Sequence, residues 1–171
     1  MPAGIDHPAA WPADVLLKQC ELKRLRRGGP GGQHRNKVET AVVIQHGPSG
    51  KSAEANERRS QEANRQEAIF RLRIVLALTP SDEFDLSSSP SELWRSRVRS
   101  GKIAVNPTHD DFPSLLAEAI SVLTQHDWNA AAAASQLGCS SSQLVKFLKN
   151  EPSAFALLNT KRQQLGLKPL K

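Results

Sequence analysis

The chain has 171 residues, of which 39% are hydrophobic and 23% charged, with a formal net charge of +6 at pH 7. That is enough chain for one domain or two small ones with a core of their own, and it excludes a wholly disordered protein; the basic excess points to an anionic partner, although Glu and Arg spread along solvated helices would supply part of it with no partner at all. Cys20 and Cys139 have no second Cys or His at ligand spacing, which excludes a disulfide framework and a cysteine metal site, and no apolar run approaches the roughly 18 residues of a membrane span, so a cytoplasmic protein with no metal, no cofactor and no membrane partner is expected.

In chain order, Met1 to Ala13 holds prolines and no periodicity, and lacks both the basic start and the apolar core of a signal peptide; it reads as a flexible arm. Asp14 can cap a short helical turn through Cys20. Glu21 to Arg26 alternates as a strand and leads into Gly28-Gly29-Pro30-Gly31-Gly32-Gln33-His34-Arg35-Asn36-Lys37, a loop whose glycines permit positive φ and present backbone rather than bulk. Lys18, Lys23, Arg24, Arg26, Arg27, Arg35 and Lys37 crowd it, opposed between 18 and 37 only by Glu21, so its surroundings are expected to be polyanionic. Ala41 to Gln45 is a second strand, His46 to Gly50 a turn, and Lys51 to Ala55 a third strand.

From Glu57 to Leu78 the period becomes helical, with Ala68, Ile69, Leu72, Val75 and Leu76 on one face and Arg58, Arg65 and Arg73 mostly off it; this helix should cover the sheet. Ser81 to Ser91 reads as a linker, giving a domain over 14–80 and a second over 92–171. Glu92 to Lys102 reads as a short helix whose Arg95, Arg97, Arg99 and Lys102 are either a phosphate-contacting patch or a solvated face. Helices follow over Ser114 to Leu123, over Trp128 to Leu137 capped by Asp127, after Ser140 with Gln143 as a capping box, and from Pro152 to Gly166. The fold class expected is α+β: a small mixed or antiparallel sheet carrying the loop, covered by a long helix, then an all-α domain.

Gly-Pro-Gly-Gly-Gln-x-x-Asn-Lys, followed by Ala41-Val42-Val43-Ile44 and Pro48-x-Gly50, and then Glu57-Arg58-Arg59-Ser60-Gln61-x-x-Asn64-Arg65-x-x-Ala68, resembles in order and spacing the GGQ catalytic domain of the class I peptide chain release factors, over roughly Leu16 to Leu78. The resemblance implies hydrolysis of peptidyl-tRNA on the ribosome, with Gly31, Gly32 and Gln33 catalytic. Cleaving that ester requires water beside an activated carbonyl, a slim intruder, and donors for the developing charge. In the family the backbone N–H at the Gln33 position stabilises the reacting oxygen and its side-chain amide places the water. Arg24, Arg26, Arg27, His34, Arg35 and Lys37 are then candidates for ribosomal RNA contact, Asn36 supports the loop base, and a glutamine methyltransferase acting on Gln33 is a further implied partner. Two departures from the family stand out. The residues ahead of the loop leave no room for a codon reader, and Thr160 to Lys171 is only mildly basic, unlike the strongly basic tails of small members that rescue stalled ribosomes.

Ala133-Ala134-x-x-Leu137-Gly138-Cys139-Ser140-x-x-x-Leu144-x-x-x-Leu148 resembles a helix-turn-helix, in which small residues let two helices cross around a Gly turn. Its second helix would expose Ser141, Ser142, Gln143, Val145, Lys146 and Lys149, which is thin for gripping phosphates and offers no Arg to read guanine. A non-catalytic ribosome- or RNA-binding relative, and a helix-turn-helix DNA-binding protein, are the alternatives to a codon-independent hydrolase.

Overall fold

The computed structural model describes residues 6–25, 41–80 and 86–171. They fall into two compact units, one formed by Trp11–Leu76 and the other by Ala77–Lys171 together with the described residues before Trp11. As the sequence implies, the fold is α+β.

The first unit opens with α1 (Ala13–Leu17), which begins after Pro12 with no side-chain cap, so Asp14 lies inside its first turn rather than capping it. Three strands follow, β1 (Cys20–Leu25), β2 (Ala41–His46) and β3 (Ser52–Ala55), all antiparallel in the order β1-β2-β3. The pairing of Leu22 with Ile44 and of Val42 with Ala55 sets Leu22, Val42, Ile44, His46 and Ala55 on one face, because successive side chains alternate. Val42, Ile44, His46 and Ala55 are buried there. β1 is an edge strand whose Glu21, Lys23 and Arg24 are exposed, and a charged edge resists pairing with a second chain.

The β2–β3 turn is locked by His46. Its Nδ1 lies 2.8 Å from Ser49 Oγ and its Nε2 3.2 Å from Gln19 Oε1, so Nε2 donates and Nδ1 accepts; burial lowers the imidazole pKa in keeping with this neutral form. The Gly47 N–H donates to Gln19 O at 2.9 Å, and a Cβ at Gly47 would come within 3.3 Å of that oxygen.

Helix α2 (Gln61–Ala77) starts after Ser60, whose hydroxyl accepts from Ala63 N. Ala68, Ile69, Leu72 and Leu76 form its buried stripe, while Val75 is half-buried. Arg73, expected off that stripe, is buried instead, since it lies four residues beyond Ile69 and therefore on the same side of the helix. Arg71 ties the helix to the sheet by donating to Glu54 O at 2.8 Å, and pairs with Glu57 and Glu67 at 2.9 and 3.0 Å.

The second unit is built around one helix that is buried all round. Every residue of α4 (Phe112–Gln125) from Phe112 to Leu123 is buried, as expected of a helix with no solvated side. Its single charged buried residue, Glu118, accepts from Ser89 Oγ at 2.9 Å, Ser91 N at 2.7 Å and Ser91 Oγ at 2.6 Å. Ser91 also caps α3 (Glu92–Arg97) through Trp94 N. The Trp94 indole donates to Leu137 O at 2.8 Å and meets Phe147 edge-on with centroids 5.6 Å apart, a preferred aromatic geometry.

The segment read as a helix over Glu92 to Lys102 is helical only to Arg97. Val98 turns extended, and β4 (Val98–Arg99) pairs with β5 (Lys102–Ile103) across Ser100 and Gly101, both at positive φ, the conformation that a two-residue hairpin turn demands.

The next helix, α5 (Ala130–Gln136), is capped by Asn129, which accepts from Ala131 N and Ala132 N, not by Asp127. Asp127 and Trp128 have φ of 49° and 59°, a left-handed pair that turns the chain between α4 and α5. Burial of the Trp128 ring offsets the roughly 1–2 kcal/mol per residue that this conformation costs. Gly138, at φ 68°, ends α5, and Ser140 caps α6 (Ser141–Leu148) through Gln143 N. Glu151 caps α7 (Pro152–Gln164), after which Asn159 brackets Leu170 with two hydrogen bonds of 2.7 and 3.0 Å.

Part of the segment read as a flexible arm belongs to this unit. Pro8–Ala10 is a 3-10 turn packed on α4, with Ala9 fully buried. His7 is buried with Nδ1 accepting from Ala9 N at 3.0 Å, and burial lowers its pKa from 6.5 to about 4. The fold thus favours the neutral ring, so the unfolded chain takes up the proton first. Its contribution to stability is complete above the unfolded value and is lost as pH falls towards the folded one. Unfolding monitored by tryptophan fluorescence should show the unit less stable by ~2 kcal/mol near pH 5 than near pH 7 from this group alone. His7→Asn, which keeps an acceptor near Nδ1 but does not titrate, should lose that part of the pH dependence.

Candidate functional site

The described residues frame the glycine loop without including it. Gly31, Gly32, Gln33, His34, Arg35, Asn36 and Lys37, together with Arg26 and Arg27, fall within 26–40 and lie outside the described residues. The frame is the end of β1 and the start of β2, where Leu25 sits directly opposite Ala41. The chain therefore leaves and re-enters the sheet at one point. Arg24, alone among the candidate RNA-contacting residues, is described. It is exposed beside this point, opposite Val42, and forms no ion pair among the described residues. Lys23, one position back and on the other face, pairs loosely with Glu21 at 3.5 Å.

A second fixed point of this unit lies where α2 begins. Asn64, fully buried, accepts from Arg58 N and donates to Arg58 O, both at 2.9 Å. One side-chain amide thereby satisfies the donor and the acceptor of one residue ahead of the helix, as a paired strand would. Arg58 and Arg59 are left exposed with Lys18, Lys23 and Arg24 in the same unit. The signal for this clamp was present in the sequence as an Asn early in a helical run, a position Asn occupies when it bonds to backbone.

Among the described residues there is no cluster of three or more His, Cys, Asp or Glu that could hold a metal ion, and no helix is long and apolar enough to cross a membrane. Cys20 and Cys139 are free thiols. Burial raises the pKa of both, that of Cys139 to about 11, and Cys20 Sγ donates to Leu16 O at 3.2 Å, so neither is a poised nucleophile.

In the second unit, α5, the Gly138 turn and α6 form the helix–turn–helix pair. Ser142, Lys146 and Lys149 are exposed on α6, and Ser141, Gln143 and Val145 are half-buried. Arg95, Arg99 and Lys102 are exposed around the short hairpin, whereas Arg97 is paired with Asp111.

A small antiparallel sheet whose first two strands are joined by a glycine-rich, basic segment, followed by a helix anchored through Asn64 and Arg71, defines the class of domain to which this chain conforms. Residues 11–106 match the RF-1 domain, and the chain belongs to that family. It is 38% identical over 113 residues to peptide chain release factor 1 of Chlorobaculum tepidum, covering 62% of this chain and 30% of that protein. Over 66 residues it is 44% identical to peptide chain release factor 1 of Xylella fastidiosa, covering 37% and 18%. Over 70 residues it is 47% identical to the chloroplastic peptide chain release factor PrfB1 of Arabidopsis thaliana, covering 41% and 15%. The chain thus matches less than a third of the length of each of these relatives.

Asn64→Ala should lower stability by roughly 1–3 kcal/mol, because both Arg58 backbone groups lose their buried partner. Arg65→Gln, which removes the charge of the pair with Glu62 at 3.1 Å while keeping much of the half-buried stem, should cost under about 0.5 kcal/mol. Urea denaturation midpoints of the two variants check the contrast.

Proposed function

We propose that this chain hydrolyses the ester of peptidyl-tRNA on the ribosome through Gly31, Gly32 and Gln33, without requiring a codon in the decoding site. The observation that carries the reading is the placement of the Gly-Gly-Gln sequence between two strands paired at Leu25 and Ala41 in a chain of the RF-1 domain family. The names of the relatives, all peptide chain release factors, support the same assignment.

In the proposed reaction a water oxygen attacks the ester carbonyl carbon, the bond from that carbon to the ribose oxygen breaks, and the ribose oxygen takes up the proton. The products are a peptide acid and a tRNA with a free hydroxyl. Gly31 and Gly32 contribute the absence of side chains, which lets backbone approach the ester. The Gln33 N–H donates to the oxygen that gains charge, and the Gln33 amide holds the water. A donor whose contact strengthens only as charge develops lowers the barrier without tightening ground-state binding. No general base is assigned, and His34 is given to RNA contact with Arg24, Arg26, Arg27, Arg35 and Lys37, whose charges suit phosphates. Asn36 steadies the loop base, and Gln33 is the side chain on which a glutamine methyltransferase would act.

Single-turnover release of labelled peptide from ribosomes at saturating protein tests the proposal. Wild type should release at the same rate with and without a stop codon. Gln33→Ala should slow release by roughly 10²-fold with little change in folding or ribosome binding. Gly32→Ala should be slower still, since a methyl group thickens the backbone where it must approach the ester. Equal rates for all three proteins would show that the loop is not the catalytic element. Ribosome binding with no release by any of them would identify a non-catalytic RNA-binding relative.

A further inference from the structure

The second unit carries a basic concavity that peptide release does not use. An open groove of about 560 Å³ is lined by the start of α5, one face of α6 and the C-terminal residues, with Lys146, Lys149, Arg162 and Lys171 on its walls and no Asp or Glu side chain among the lining residues. None of these four cations forms an ion pair among the described residues.

Two of the four charges are positioned by neutral groups. Lys149 Nζ stands 5.0 Å from the centroid of the Phe155 ring, a cation–π contact that orients the ammonium while leaving donors for another partner. Arg162 donates from Nη1 to Trp128 O at 2.9 Å and from Nε to Lys168 O at 3.0 Å. Carbonyl oxygens hold the guanidinium without cancelling its charge. On α6 and its C-cap, Ser142, Lys146 and Lys149 are exposed at a spacing of four and then three residues, which is one face of the helix. Like charges gathered on one wall repel, and with no Asp or Glu side chain in the lining a polyanion bound there would relieve that repulsion.

We propose that this groove docks the phosphate backbone of RNA, giving the chain a second anchor separate from the glycine loop. Ammonium groups and the hydroxyls of Ser141 and Ser142 suit phosphate oxygens. Two of the five guanidinium N–H groups of Arg162 are engaged on backbone carbonyls, which pins that side chain to the wall; the ammonium and hydroxyl groups are suited to phosphate rather than to base edges, so the binding is expected to be independent of sequence. The choice of RNA over DNA rests on the ribosomal reading above, in which RNA is the polyanion at hand.

The test is equilibrium binding of the full chain to a short RNA duplex, and to a DNA duplex of the same sequence, over a series of salt concentrations. Lys146→Glu combined with Lys149→Glu should weaken RNA binding at least tenfold and reduce the slope of log affinity against log salt by about 2, since each lysine accounts for about one phosphate contact. Should the double variant fail to fold by circular dichroism, Ser142→Glu places a negative charge on the same exposed face and should weaken binding in the same direction. RNA affinity and slope that survive the charge reversal, no RNA binding by wild type, or tighter binding to DNA than to RNA would overturn the proposal. Peptide release is scored separately. A wild-type chain that binds RNA through the groove but releases no peptide would sink the hydrolase reading alone, whereas release unaccompanied by any groove-dependent RNA binding would sink this inference alone.

Discussion

The antiparallel register of β1 on β2 is the constraint on which the loop-bearing unit depends. Setting Leu22 against Ile44 brings Leu25 opposite Ala41, and the same register puts Val42, Ile44 and His46 on the buried face. A slip of one residue would turn that face to solvent and separate the points between which residues 26–40 are strung. Hydrophobic burial and presentation of the loop are thus one decision of the chain, and the His46–Gln19 contact at the far end of the pair reinforces it.

Much of this was legible in the sequence because the devices involved are local. Ser140 and Pro152 announce helix starts by their own chemistry, and β-branched content announces β2. What the sequence does not disclose depends on partners remote in the chain or on backbone conformation. Asp127 has the side chain of a cap, but it sits in a left-handed turn fixed by the burial of Trp128, and the cap passes to Asn129. Arg95 to Lys102 has helical composition, yet Ser100-Gly101 makes a hairpin of its second half. Pro8–Ala10 looks featureless until α4 supplies the surface that buries Ala9. The Gly-Gly-Gln motif was legible from sequence alone, and of the candidate contact residues only Arg24 acquires a described environment.

Each unit uses charged groups in two opposite ways. At the centre of the second, Glu118 is buried and fully engaged by Ser89 and Ser91, so its charge serves to join distant segments. Lys149 and Arg162 are held by an aromatic ring and by carbonyls respectively and keep their charge. The same contrast appears in the first unit between Arg71, paired with Glu57 and Glu67, and Arg24, exposed near the end of β1 with no ion pair among the described residues.

The two thiols bear on how such a protein can be probed. With a pKa near 11, Cys139 holds about one thiolate in ten thousand molecules at neutral pH, and the pKa of Cys20 is also raised. Alkylating dyes react with thiolate, so a solvent-facing cysteine introduced for labelling would outcompete both natural ones. Spectroscopic reporters could then be attached to the wild-type background, with the packing around Cys20 and Cys139 left intact.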